Sequence, residues 1–350
     1  MALLQVLLFR ALTLACVLLS VLVLLVVILG TTGFSDRILS GVVDEQMRGM
    51  RLGLAQTIRD PERLEETLKT RRYDLEAFYG LNQPWYARLP DTLFRVVTLD
   101  LGEARTLRSF EGSPKVSDIV LDRVPNTMLL LTSSLAITSI IGLFVGVKLA
   151  ARVGTLFDRT ISFVAAVSFA LPAWWAGILL ILLLSYHLDL LPSGGMYSTP
   201  PPVSAISRFL DLLKHALLPI ITLVLVSVGP YLYSVRTMTL NVAQEDHVTV
   251  ARVKGIAENL VLRRHILRVA APPIVTGLMF SFIGSLSGSI LVETVFNWQG
   301  MGRLIFEAFA GTPDESVIVA LTFVYTLLYV IGRFVLEVLY LILDPRVRYT

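Results

Sequence analysis

The sequence predicts an all-α polytopic membrane protein. Hydrophobic residues make up 55% of the 350 residues and charged residues only 16%, and the mean hydropathy is +0.71. The apolar residues are grouped into long blocks, and a helix needs about 20 such residues to cross roughly 30 Å of hydrocarbon. Because the bilayer interior has no water to pair with the backbone, each block is expected to be helical.

Six blocks are long enough to span a membrane. The first follows Arg10, is longer than the core of a signal peptide and lacks a small-residue cleavage site, so we expect it to be retained. Cys16, the single cysteine, lies in this block and can form no intrachain disulfide. The predicted spans are residues 8–30, 127–150, 160–186, 215–235, 273–296 and 316–343.

The charges of the loops predict the orientation. Lys and Arg favour the cytoplasmic side of short loops, so the segment 236–271, which is rich in basic residues, should be cytoplasmic. Alternating six spans from there places both termini in the cytoplasm, and the net charge of +3 then reflects cytoplasmic loops rather than nucleic-acid binding. The basic residues are Arg236, Arg252, Lys254, Arg263, Arg264 and Arg268, and the acidic ones are Glu245, Asp246 and Glu258.

Three regions follow from this topology: a first span over 1–31, an extracytoplasmic helical insertion over 32–126, and a five-helix core over 127–350. In the insertion, Asp60 and Pro61 are placed to start a second amphipathic helix. The insertion either caps the extracytoplasmic mouth of the bundle or offers a docking surface to a soluble partner.

The basic segment is predicted to form an elbow, residues 243–269. Helical spacing over 243–254 is broken by Gly255, and a second helical run over 257–269 is expected to stop at Pro272 and Pro273. Ala251 and Gly255 lie four residues apart and leave room for the close approach of another surface. The alternative is a basic loop that only touches anionic lipid head groups.

The elbow sequence "EDHVTVARVKGIAENLVLRRHILRVAAPP" resembles the EAA-type loop of permease subunits in binding-protein-dependent ABC importers, in the peptide/nickel branch. Seven further strings agree in order, and the resemblance covers nearly everything except about 40–75. His247, Thr249, Ala271–Pro272 and Gln299 depart from the usual family residues. The strings are "GLNQPW" at 80–85, "DLG" at 100–102, "RVPNTMLL" at 123–130, "SFALPAWW" at 168–175, "LLPSGG" at 190–195, "ETVFNWQGMG" at 293–302 and "LDPRVRY" at 343–349.

The resemblance implies a type I ABC importer permease fold and a loop at 237–272 that docks on an ATPase. It also implies a homologous second permease subunit, two ATPase subunits that hold ATP and Mg, and an extracytoplasmic solute-binding protein, with no cofactor on this chain. The residues that match the docking loop are Glu245, Asp246, Val250, Ala251, Arg252, Lys254, Gly255, Arg264 and His265.

No catalytic or metal-binding motif is present in the sequence. The nearest string to a phosphate-binding loop, "GLFVGVK" at 142–148, has the wrong glycine spacing and lies in a predicted span. HExxH and CxxC are absent, and the four histidines are scattered over different segments. We therefore expect a transport subunit without its own ATPase site rather than an enzyme.

Small and polar residues in the third and fifth spans are candidates for the translocation pathway. Such residues either pack helices closely or line a water-filled route. Glu293 is interpreted as a gate or as a structural bond to the following "GMG" turn, and Pro172 as a kink that either faces the pathway or serves packing. The candidates are Ser168, Pro172, Ser285, Ser287, Gly288, Ser289 and Glu293.

The resemblance favours peptides as the substrate, with oligosaccharides as the nearest alternative. Nickel is less favoured because His and Met residues do not cluster on one span. A function of a different class, a stand-alone channel or membrane receptor, would need no ATPase docking loop.

Overall fold

The computed structural model describes residues 2–87, 100–104, 106–285, 289–310 and 313–343, together with Pro90, Phe94 and Thr98. Regular structure in these ranges is helical apart from an isolated antiparallel bridge between Glu103 and Lys115. The helices are α1 Ala2–Thr31, α2 Phe34–Thr57, α3 Pro61–Phe78, α4 Val116–Ala150, α5 Leu156–Ala170, α6 Ala173–Leu180, α7 Ala205–Ala243, α8 Asp246–Val253, α9 Arg268–Ser285, α10 Ile290–Val295, α11 Met301–Phe309 and α12 Glu315–Leu343. A π-helical segment, Ile181–His187, continues α6, and a short turn, Glu258–Leu260, with a π-helical segment, Val261–Leu267, precedes α9.

Four described helices are long and apolar enough to cross a bilayer. They contain Leu8–Thr31, Val116–Ala150, Ala205–Ala243 and Ser316–Val335. These four correspond to the predicted first, second, fourth and sixth spans, and they confirm the all-helical membrane class. The predicted fifth span is not described as one helix, since α9 ends at Ser285 and residues 286–288 lie outside the described residues. The count of six spans stays a prediction.

The predicted third span, 160–186, is divided into two helical runs at Pro172, the residue interpreted as a kink. The chain bends by 102° between α5 and the helical run Ala173–His187 that begins with α6. Leu171 and Pro172 are extended, with ψ of 122° and 131°. A residue before proline is pushed out of the α region, so the helix ends there rather than kinking gently.

The chain divides into two compact units, and the first comprises residues 1–122 with 305–330. Leu22 of α1 packs there with Val319 and Phe323 of α12. The predicted start of a helix at Pro61 is confirmed, since the Asp60 carboxylate accepts a hydrogen bond from the backbone N–H of Glu62 at 3.2 Å. Whether the insertion caps the bundle or docks a partner stays a prediction.

The second unit comprises residues 123–304 with 331–350 and is built around α7. This helix is 39 residues long and extends beyond the predicted 215–235 at both ends. It starts early because the Ser204 hydroxyl accepts from the backbone N–H of Ser207 at 3.1 Å. One apolar core surrounds Leu218 and another surrounds Val235 and Val242, so each half of α7 is anchored separately.

Candidate functional site

The elbow forms as a helix, a glycine turn and a second helical run. The first helix, α8, ends at Val253, and Gly255 adopts φ of +73°, a left-handed conformation that favours glycine. The second run differs from the prediction, because α9 continues through Pro272 and Pro273. Both prolines lie inside a helical run that continues from Val261–Leu267 into α9 without a break, so each removes one backbone donor from that run.

One side of α8 is buried against the rest of the chain. Val248 is fully buried and Ala251 is 3% exposed, and both pack with Val261, Ile266 and Ala270 of the following segments. The expectation that Ala251 and Gly255 together leave room for another surface is therefore wrong for Ala251. Its small side chain fits the contact of α8 with its own chain, and only Gly255 faces open space.

The opposite side of α8 is exposed and partly apolar. Val250 is 50% exposed and Val253 is 84% exposed. A Cβ built on Gly255 would meet nothing within 4 Å. Asp246, Lys254, Arg263 and Arg264 are also exposed. Sequence reasoning missed Val253, although its apolar side chain opposite Val248 was a visible signal for a second contact surface.

Two polar contacts join the arms of the elbow. Arg252 Nη2 lies 2.8 Å from Glu258 Oε1 across the Gly255 turn. A hydrogen bond from Arg252 lowers the pKa of Glu258, and the same bond raises the pKa of Arg252. His247 Nε2 donates to the backbone carbonyl of His265 at 3.0 Å, while His247 Nδ1 lies 3.2 Å from Glu245 Oε2. These contacts hold α8 on the second run.

Ser168, a predicted pathway residue, is 3% exposed in the contact between α5 and α7. Its hydroxyl donates to the carbonyl of Leu225, lies 3.3 Å from that of Val226 and accepts from the N–H of Gly229 at 3.3 Å. The hydroxyl thus serves a helix contact in this structure. Pro172 stands at the break before α6.

The polar face predicted for the fifth span lies largely outside the described residues. Ser287 and Gly288 are not among them, and Ser285 is described only as the last residue of α9. Ser289 precedes α10, and its carbonyl accepts from the N–H of Glu293 at 2.9 Å. A pathway role for these residues stays a prediction.

Glu293 is fully buried and bonded to the turn that follows it. Its Oε1 accepts from the Thr127 hydroxyl at 3.0 Å, and its Oε2 accepts from the N–H of Arg303 at 3.0 Å. The same hydroxyl accepts from the N–H of Met301 at 2.7 Å. A Cβ on Gly300 would collide with the Glu293 carboxylate and the Thr127 hydroxyl. These contacts match the interpretation of Glu293 as a structural bond.

Three of the quoted strings meet around this turn. Trp298 is fully buried, and its Nε1 donates to the carbonyl of Asn126 at 3.0 Å. Asn126 Nδ2 in turn donates to the carbonyl of Gln299 at 2.7 Å, and the N–H of Gly195 donates to the carbonyl of Phe296 at 2.8 Å. The strings at 123–130 and 190–195 therefore both contact the string at 293–302. We call residues 293–302 the Trp298 turn.

A polar cavity of about 330 Å³ lies near the Trp298 turn, and sequence reasoning did not predict it. Asp189, Lys214 and His215 are among its lining residues. In the part of the chain that the structure describes, no group of three or more His, Cys, Asp or Glu side chains could hold a metal ion.

Comparison with known proteins identifies the family. Residues 121–349 match the family model of the binding-protein-dependent transport system inner membrane component. The chain belongs to this family. The resemblance found in the sequence is confirmed, and the protein is a multi-pass membrane permease of an ABC importer, which works with an ATPase and a binding protein.

Individual relatives extend the match beyond that range. The oligopeptide transport system permease protein AppB of Bacillus subtilis is 35% identical over 296 residues, which cover 83% of this chain and 90% of that protein. The di/tripeptide transport system permease protein DppB of Pseudomonas aeruginosa is 30% identical, with 77% of this chain and 83% of that protein covered. The inward-facing MetNI methionine ABC transporter shares the fold at 16% identity, with a TM-score of 0.51 over 65% of this chain and 96% of that chain.

Proposed function

We propose that the permease forms half of a peptide translocation pathway and that its elbow docks on an ATPase subunit. The names of its relatives support the substrate class, since they are an oligopeptide and a di/tripeptide permease protein. The observation that supports the docking role is that α8 has one buried side and one exposed side. Val248 and Ala251 anchor the helix, while Val253 is 84% exposed on the opposite side.

The elbow lies in the cytoplasm and both termini are cytoplasmic. Six basic residues against three acidic ones between 236 and 271 support this orientation. The same orientation places the Trp298 turn and the polar cavity near the extracytoplasmic side, where the binding protein delivers substrate.

The complete importer contains a second, homologous permease, so the two permeases form a heterodimer with two ATPase subunits. ATP and Mg are held by the ATPases, and this chain binds no cofactor. A partner can drive the permease between inward-open and outward-open arrangements only by binding the two with different affinity. The elbow supplies this contact.

Exchange of Val253 for glutamate tests the docking role. Val253→Glu places a charge on the exposed side of α8 and leaves the buried side unchanged. We expect the ATPase that co-purifies with the permease in detergent to fall by about ten-fold, because about 1.4 kcal/mol of lost binding free energy changes the affinity by that factor. The amounts of permease and ATPase after affinity purification give the measurement.

Val203→Glu is the matched control, because Val203 is also highly exposed but lies in the loop between the π-helical segment and α7. This variant should retain the ATPase at the level of the unmodified permease. Full retention of the ATPase by Val253→Glu, or equal loss in both variants, would contradict docking through α8.

A further inference from the structure

We propose that Asp158 and Arg236 are positioning residues for transport. Their ion pair joins α5 to α7, so a displacement of the elbow reaches the break at Leu171–Pro172. This inference rests on the proposed function, because it takes the elbow as the point where the ATPase acts.

The ion pair is bidentate and shielded from solvent. Arg236 Nε donates to Asp158 Oδ1 at 2.8 Å, and Arg236 Nη2 donates to Asp158 Oδ2 at 2.9 Å. The side chains of Arg236 and Asp158 are 18% and 7% exposed. Two parallel hydrogen bonds fix the relative orientation of the groups as well as their distance. Asp158 Oδ2 also accepts from the N–H of Gly154 at 3.0 Å, which ties the connection before α5 to the same carboxylate.

Ser168 and Gly229 join α5 and α7 at a second position along their length. Pro230 lacks an N–H, so the carbonyl of Val226 has no donor from the helix. The Ser168 hydroxyl lies 3.3 Å from that carbonyl and accepts from the N–H of Gly229 at 3.3 Å. Gly229 is needed for this approach, because a Cβ would collide with the backbone of Ala165.

The two contacts are well separated along α5. A helix rises about 1.5 Å per residue, so Asp158 and Ser168 lie about 15 Å apart along the axis. One contact alone would let the helices rotate about it, whereas two contacts at different levels resist both rotation and sliding. We therefore expect α5 and α7 to move as one body.

The α5–α7 body has one end next to the elbow and the other end next to the break before α6. Arg236 lies on α7 shortly before the elbow, and Ser168 lies two residues before the end of α5. The chain then turns by 102° into α6, whose first residues include the half-exposed Trp174 and Trp175. A displacement of the elbow is therefore passed to α5 through the ion pair and reaches the two extended residues before α6, which itself packs on α7 where Gly177 lies against Thr222.

Transport per ATP is the measurement that separates positioning from stability. The complete importer, with its binding protein and both ATPases, is reconstituted in proteoliposomes, and peptide uptake and ATP hydrolysis are measured on the same vesicles. Arg236→Lys keeps the charge but loses the bidentate geometry. We expect its uptake per hydrolysed ATP to fall by about five-fold while the complex still assembles.

A charge-swapped variant tests the pair itself. Asp158→Arg and Arg236→Asp each leave a buried like-charge pair, and their combination restores opposite charges. We expect the double variant to recover part of the uptake per ATP that each single variant loses. The matched control is Arg72→Lys, since Arg72 pairs with Asp44 at 3.0 Å with both side chains 50% exposed. This control should leave uptake per ATP unchanged.

Unchanged uptake per ATP in Arg236→Lys would overturn the proposal, even if its melting temperature falls, because the pair would then only stabilise the fold. A charge-swapped variant that assembles but recovers no uptake per ATP would also overturn it. Cross-linking of the unmodified permease to the ATPases tests the docking separately. Contacts with the ATPases only outside the elbow would contradict the proposed docking, whatever the uptake per ATP.

Discussion

The elbow and the Trp298 turn both depend on a glycine, but the surroundings of the two glycines are opposite. A Cβ on Gly255 would meet nothing within 4 Å, whereas a Cβ on Gly300 would collide with Glu293 and Thr127. The Trp298 turn is closed by hydrogen bonds to Glu293 and Thr127, and Trp298 is fully buried. The elbow is closed on one side only.

This difference separates a glycine required by packing from one required by backbone conformation. Gly300 is required because its own chain fills the space, and the requirement exists in the isolated permease. Gly255 is required by its φ of +73°, while no atom lies within 4 Å of the position that a Cβ would take. A segment that is buried on one side and exposed on the other has a surface available for contact with another molecule. A segment that is buried on all sides has no such surface.

The largest effect is expected for Gly300→Ala. The added Cβ displaces the Glu293 carboxylate or the Thr127 hydroxyl, and overpacking with lost buried hydrogen bonds costs about 3 kcal/mol. Gly255→Ala costs about 1 kcal/mol of backbone strain, because only its positive φ is unfavourable. Thermal unfolding of the purified permease in detergent measures both variants. Equal decreases in melting temperature would contradict the comparison.

A smaller effect is expected when the two sides of α8 are compared. Ala251→Leu adds atoms to a packed core and should cost about 1–3 kcal/mol of stability. Val250→Leu changes a residue that is 50% exposed and should stay within about 0.5 kcal/mol. The unfolding temperatures of the two variants test which side of α8 is buried. If Val250→Leu were the more destabilising variant, α8 would be rotated from the orientation described.

The smallest effect is a pH dependence of the elbow. Arg252 lowers the pKa of Glu258, so the stabilising contribution is present above the unfolded pKa of about 4.3 and is lost as the pH falls through the folded pKa. The contribution is small because the side chains of Arg252 and Glu258 are 44% and 67% exposed.

Amide hydrogen exchange in the elbow measures this dependence. After correction for the intrinsic rate, protection of residues 252–258 should decrease in acid, and Glu258→Gln should remove the dependence. An unchanged acid dependence in Glu258→Gln would assign it to another group.

Local signals predicted much of the architecture. Apolar blocks predicted the four long helices, Asp60 with Pro61 marked the start of α3, and Gly255 marked the elbow. Each depends on neighbours within a few residues, where propensity and periodicity are informative.

Contacts between residues that are distant in the sequence could not be predicted from local patterns. The contact that buries Ser168 could not be predicted from its neighbours, because the carbonyl that Pro230 leaves without a donor lies far away in the sequence, and a pathway role for Ser168 stays a prediction. Ala251 was expected to face a partner because periodicity defines the small side of α8 but does not tell which neighbour covers it. Pro172 indicated a break, whereas its angle of 102° depends on how α5 and α6 each pack against α7.

Site-specific cross-linking tests most directly whether the exposed side of α8 contacts the ATPase. A photoreactive amino acid replaces Val253 in the assembled importer, with the same replacement at Val203 for comparison. Our account predicts a cross-linked product of permease and ATPase from position 253 and none from position 203. Failure to form that product at 253 in an importer that still hydrolyses ATP and transports substrate would contradict the account.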